Sequence, residues 1–261
     1  MCGYIIYPTK PSKDLLLTHL ERQKHRGEDG YGTMSMKLKA DGKPYVGKAL
    51  LRNAFIKKHR YMPVAPMIVH HRKASLGGVK AELVHPLANE TDNVLVMQNG
   101  TKRPLAAMFY TSSDTLALAE MWDEVSDLAL HCLLADTGVV FVMDRGRLFF
   151  HRDSGRTLYK CTAGDYAGMY ASEPIEAGMW ALVDEYDLKE LPLDMAEWDL
   201  EHGESELFQW QECQYYLCKT PYLGTAGSYR CPDCDSKYVQ SYSSAANNRR
   251  NNTRQQAAGG K

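Results

Sequence analysis

The chain has 261 residues, 44% of them apolar and 24% charged, with a formal net charge of −1. That is the composition of a globular domain with room for one small appended module. No apolar run approaches the ~20 residues of a membrane span, and Pro8, Lys10, Pro11, Lys13 and Asp14 break up any leader-like start. A cytoplasmic protein with no membrane partner is expected. Seven cysteines, an odd number, argue against a fully paired disulfide framework and suit a reducing compartment.

Residues 2–7 (Cys-Gly-Tyr-Ile-Ile-Tyr) read as a strand starting at the terminus. Ser12 is placed to cap a helix of about twelve residues carrying Leu15, Leu16 and Leu20. Strand-like runs recur near 31–38, 64–71 and 93–98, with Gly, Pro or Asn between them. A helix opens at Ser112-Ser113-Asp114, with Leu116, Ala119, Trp122 and Val125 spaced along one face and 128–135 extending it. Short strands near 138–144, 146–151, 157–161, 167–172 and 179–184 follow. Strands and helices come in blocks rather than alternating, which predicts an α+β fold of mainly antiparallel sheets with helices outside.

Two charge runs stand out. Residues 37–60 carry eight Lys/Arg against one acid, Asp41, and residues 184–206 carry ten Asp/Glu against one base, Lys189. A solvated face explains such runs, and a basic patch also suits phosphate. The predicted division is a main domain over 2–195, an acidic linker or helix over 196–210, a cysteine module over 211–240 and a disordered tail over 241–261. The tail is rich in Asn and Gln with almost no large apolar residue.

Cys2 follows the initiator Met and precedes Gly3. Removal of Met1 would give Cys2 a free α-amine with a pKa of ~7.7–8.0 beside a thiol of ~8.5, so one residue could hold both nucleophile and base. Its companions give that possibility weight. In order they are His25-Arg26-Gly27-Glu28-Asp29-Gly30-Tyr31-Gly32, His71-Arg72-Lys73-Ala74-Ser75-Leu76-Gly77, His85-Pro86, Gln98-Asn99-Gly100 and Ser113-Asp114-Thr115. Gly138 to Asp144, Gly146-Arg147-Leu148 and Ala171-Ser172-Glu173 come later. Together these resemble the class II, N-terminal-nucleophile glutamine amidotransferase domain over roughly residues 2–190.

The resemblance implies a four-layer αββα sandwich and a thiol attack by Cys2 on the side-chain amide of glutamine. It implies an oxyanion hole from the Asn99 side-chain amide and the Gly100 backbone N–H. It also implies Arg72 on the α-carboxylate, Asp114 on the α-ammonium and Ser75 in the pocket wall, with Arg26 to Gly32 as a glycine-hinged loop shaping the site. Local readings stand beside these roles. Asn-Gly is a common hairpin turn, and Asp114 suits a helix N-terminus. Gln98 stands where many members have His, and Lys73, Leu76 and Thr101-Lys102-Arg103-Pro104 also depart from the pattern.

Cys213-x4-Cys218 and Cys231-x2-Cys234 supply four thiolates, a set that suits tetrahedral structural Zn²⁺ in a zinc-ribbon-like module. His202 is a substitute ligand, and a redox CxxC or unliganded cysteines are the alternatives. About 70 residues remain beyond the resemblance, too few for a typical synthase or synthetase domain. The expected function is therefore a glutaminase component that takes glutamine and passes ammonia to a separate synthase or synthetase chain. The alternatives are an N-terminal-nucleophile hydrolase of another amide and a catalytically weak, zinc-bearing interaction protein. A nucleic-acid partner rests on Tyr215, Tyr216, Tyr222, Tyr229 and Tyr238 as stacking groups, with Arg249, Arg250 and Arg254 on phosphate.

Overall fold

The computed structural model describes residues 2–214, 218–226, 228, 230, 231, 233 and 234. Met1, Tyr215, Tyr216, Tyr229, Tyr238 and the 241–261 tail with its three arginines lie outside the described residues. The chain forms two compact units, divided between Ser205 and Glu206.

In the first unit, β1 (Gly3–Tyr7) is buried along its whole length. It pairs antiparallel with β4 (Met67–His71), Gly3 opposite His71, which sets Cys2 beside the chain that leaves β4 at Arg72. Beyond β4 come β2 (Tyr31–Leu38) and β3 (Pro44–Ala49), and on the other side of β1 come β10 (Tyr170–Ala171), β9 (Tyr159–Ala163) and β11 (Gly178–Leu182). The order is β11-β9-β10-β1-β4-β2-β3. A second antiparallel sheet holds β5 (Leu87–Ala88), β6 (Val94–Asn99), β7 (Val139–Asp144), β8 (Arg147–Arg152) and β12 (Tyr186–Leu191) in the order β12-β8-β7-β6-β5.

The two sheets share one core. Tyr4, Ile6, Met34 and Ile68 from the first pack with Met97, Val139, Phe141 and Phe150 from the second. The period-2 alternation of β6 and β7 sends Val94, Val96, Val140 and Val142 to the opposite face. There they bury Leu105 of α3 (Arg103–Met108), Ala117 and Leu118 of α4 (Asp114–Met121) and Leu130 and Leu134 of α5 (Asp127–Leu134). Two more helices touch the first sheet. α1 (Lys13–Arg22) stacks His19 on Tyr7, and α2 (Arg52–His59) stacks Phe55 on Tyr31. Ser12 caps α1 as expected, its Oγ accepting the Leu15 N–H at 3.2 Å.

Three local expectations change. The helical region from 112 to 135 is broken, because Ser126 caps a new helix, α5, by accepting the Ala129 N–H. α4 also buries Thr115, Ala117, Leu118 and Ala119 rather than a stripe of residues three apart, because α3 and β6 both pack against it. The acidic stretch carries strand β12 and a 3-10 turn, with Met195, Trp198 and Leu200 buried in the shared core, so its first part is held against the fold. Among the described residues, no helix is long and apolar enough to cross a membrane.

The second unit opens with a hairpin, β13 (Glu206–Glu212) against β14 (Pro221–Thr225), paired from Phe208↔Thr225 to Glu212↔Pro221.

Candidate active site

The antiparallel pairing of β1 and β4 brings the Cys2 sulfur against the residue after Arg72. Sγ accepts the Lys73 N–H at 3.3 Å. The Cys2 carbonyl accepts from Arg26 Nε at 3.1 Å, and Arg26 is itself braced by Glu173 at 3.2 Å. Burial pushes the Cys2 thiol up, while the Lys73 N–H and the charges of Arg72 and Arg26 pull it back only in part. Such a thiol needs a base to become a nucleophile.

Cys2 lines a pocket with Arg72, Ser75, Gly100 and Asp114, so five of the six residues expected at the substrate meet in one place. Asn99 is fully buried and does not line it. Its Nδ2 donates to Ser172 Oγ at 3.4 Å, and the same oxygen accepts the Tyr4 N–H at 2.8 Å. Ser172 thus ties the last residue of β6 to the strand that carries Cys2. Gly100 leads from β6 toward α3 and makes no hairpin, since β6 pairs with the distant β7. A Cβ at Gly100 would stand 1.8 Å from the Thr137 carbonyl, so only glycine lets the backbone pass there.

Charge in the pocket is held by backbone. Arg72 donates to the carbonyls of Leu76 at 3.0 Å and Gly78 at 2.8 Å, folding the 73–78 loop around its guanidinium. Asp114 Oδ2 accepts the Lys102 N–H at 2.6 Å and Gln98 Nε2 at 3.3 Å. Ser75 Oγ meets Thr101 Oγ1 at 2.9 Å, and that hydroxyl also donates to the Gly100 carbonyl at 2.8 Å. With Arg72 turned onto its own loop, the cavity is about 20 Å³, room for a water molecule.

Gln98 proves to be the hub of the wall. Its side chain also donates to the Thr137 carbonyl at 3.2 Å and accepts from Thr115 Oγ1 at 2.8 Å. Its backbone N–H donates to His85 Nδ1 at 3.2 Å, and its carbonyl accepts from His70 Nε2 at 3.1 Å. The two imidazoles stack with centroids 4.3 Å apart. Burial holds both neutral, His85 pulled down to about 3 and His70 well below its ordinary value. Sequence reasoning quoted His85 and Ser172 only as parts of motifs, saw Gln98 as a departure and missed His70. The signal available was position: each adjoins a residue already singled out. The Arg26–Gly32 segment packs closely against its neighbours, since a Cβ at Gly27 would lie 2.5 Å from the Arg72 carbonyl and one at Gly32 1.7 Å from the His85 carbonyl.

In the second unit the sulfurs of Cys213, Cys218, Cys231 and Cys234 all lie within 4.8 Å of one another, without His202. Cys218 and Cys231 sulfurs are 3.7 Å apart, against roughly 3.8 Å for the edge of a tetrahedron with Zn–S bonds of about 2.3 Å. The Cys231 N–H donates to Cys213 Sγ at 3.3 Å, and the neighbouring Thr220 hydroxyl pulls the Cys218 thiol down to about 6. The cluster can hold a metal such as zinc.

The two antiparallel sheets and their flanking helices form a fold like that of class II amidotransferases. One solved structure that matches is described as the allosteric regulatory enzyme of purine biosynthesis. It has a TM-score of 0.50 and 19% identity, over 75% of this chain and 49% of that one. Another is the glutamine phosphoribosylpyrophosphate amidotransferase from B. subtilis complexed with ADP and GMP, with a TM-score of 0.48 and 19% identity, over 75% of this chain and 50% of that one. The chain therefore spans about half the length of each. No protein-family model matches the sequence, and no curated protein matches it.

Proposed function

We propose that the chain is a glutaminase component that cleaves the side-chain amide of glutamine and supplies ammonia to an acceptor-modifying partner chain. The carrying observation is that Cys2, Gly100, Arg72 and Asp114 share one pocket wall. After Met1 is removed, the α-amine of Cys2 takes the thiol proton and the sulfur attacks the carboxamide carbon. The oxygen gains negative charge beside the Gly100 N–H, and the buried Asn99 amide joins it once its Nδ2 turns from Ser172 Oγ toward the pocket; one such donor is worth about 3–4 kcal/mol at the transition state. Collapse breaks the C–N bond, the α-ammonium returns its proton to the leaving ammonia, and water hydrolyses the remaining thioester to glutamate.

Arg72 would take the α-carboxylate and Asp114 the α-ammonium. For that, Arg72 must release the Leu76 and Gly78 carbonyls, and Gly77 and Gly78, at φ of +71° and +73°, give the loop its freedom. Helices against the outer faces of two packed sheets support the four-layer αββα reading. The cysteine cluster is read as a structural zinc site that stabilises the small unit and docks the partner.

The test is glutamine turnover by the full chain beside Cys2→Ala. The reading expects glutamate and ammonia in equal amounts from the wild type and none from the variant. Equal turnover by both would remove Cys2 from the mechanism, and turnover of asparagine in preference to glutamine would favour another amide substrate.

A further inference from the structure

The basic run at 37–60 is only partly absorbed by the fold. Arg52 pairs with Glu21, Lys43 with Asp92, and Lys48 and Lys58 donate to carbonyls. Lys57 and Arg60 have no carboxylate partner among the described residues. They face a cleft of about 720 Å³ that also receives Lys10, Lys13 and His59, a size typical of small-molecule sites. No carboxylate lines it, and Pro11, Leu17 and Ile56 give it an apolar wall. It shares no residue with the Cys2 pocket.

Several details show a fixed arrangement of charge. The Lys10 ammonium is held by the carbonyls of Arg60 at 3.1 Å and Met62 at 2.6 Å. Lys13 opens α1, whose first turn carries one acid, Asp14, that does not line the cleft; an anion is favoured at that end of a helix. His59 is 3% exposed; its Nε2 donates to the Pro11 carbonyl at 3.1 Å and its Nδ1 has no partner. Cations gathered in a cleft without acids repel one another and focus a positive potential. An anion between them relieves that repulsion.

We propose that this cleft, between the β1–α1 connection and α2, binds a phosphorylated small molecule. Phosphate meets Lys13, Lys57 and Arg60, and the organic part lies on Pro11, Leu17 and Ile56. A discrete, half-open cleft with an apolar wall suits such a ligand better than an extended nucleic-acid strand, which needs a continuous track.

The test is calorimetric titration of the full chain with ATP in magnesium-free buffer at low ionic strength. One-site binding is expected, displaced by pyrophosphate. It should weaken at least ~tenfold in Lys57→Gln/Arg60→Gln, as loss of charge-assisted contacts requires. Both side chains are exposed, so the variant stays folded, its melting temperature lowered by no more than a few degrees for the two cations lost from the C-terminal end of α2. Cys2→Ala binds ATP like the wild type, which separates this site from the glutaminase reading. No binding at millimolar ATP, an unchanged affinity in the double variant, or binding of a single-stranded oligonucleotide without ATP binding would overturn the proposal.

Discussion

Mild acid should loosen the first unit through its buried histidines. His71 is fully buried with neither ring nitrogen partnered, and burial, with His70 beside it, pulls it down to about 3; burial and the Arg72 charge do the same to His85. In the unfolded chain each returns to about 6.5. Between those values the unfolded state binds more protons than the folded one, so stability is present above about 6.5 and falls as pH drops below it. From about pH 7 to about pH 5.5 each imidazole accounts for about 1.2 kcal/mol, and the pair for about 2.5 kcal/mol. His19, held at about 4 by burial and the Arg22 charge, adds in the same direction. A loss of that size lowers the melting temperature by about 5–10 °C in a unit this large. Thermal melts followed by circular dichroism across that range measure it. His71→Leu should remove about 1.2 kcal/mol of the acid-induced loss. A flat melting temperature, or an unchanged slope in His71→Leu, would mean that these imidazoles do not take up protons on unfolding.

Three further outcomes follow from named contacts. Gly100→Ala forces the backbone away from the Thr137 carbonyl and should lower kcat about 10²-fold or more by displacing one oxyanion donor, read in steady-state glutaminase kinetics. Ser172→Ala leaves the buried Tyr4 N–H without its acceptor and should cost about 1–3 kcal/mol in urea unfolding. Purified protein should carry close to one zinc per chain by elemental analysis, falling sharply in Cys231→Ser; four freely titrating thiols in metal-free wild type would contradict the zinc reading.

What the sequence made legible depended on how local the signal was. The strand at 31–38 and the Ser12 cap were readable because the alternation of Met34, Met36 and Leu38 with Thr33, Ser35 and Lys37, and a capping hydroxyl, act within a few residues. α2 was not, since its buried Phe55 and Ile56 are adjacent and surrounded by cations, leaving no helical stripe. α4 hid its burial pattern because two neighbours cover it. Motif order singled out Cys2, Arg72, Ser75, Gly100 and Asp114, and the fold brings them to one pocket. The holders of those residues were invisible for a different reason. Gln98 bonds to His70, His85, Asp114 and Thr137, and Ser172 bonds to Tyr4, partners fixed only by strand pairing far along the chain.

In the proposed chemistry one residue, Cys2, is both nucleophile and base. Incubation with a glutamine-analogue electrophile, followed by mass analysis of the N-terminal peptide, tests it most directly. The expected product is a peptide beginning at Cys2 that carries one adduct on its sulfur, blocked by excess glutamine. A peptide that retains Met1 and still reacts, or an adduct on any other cysteine with Cys2 unlabelled, would contradict it.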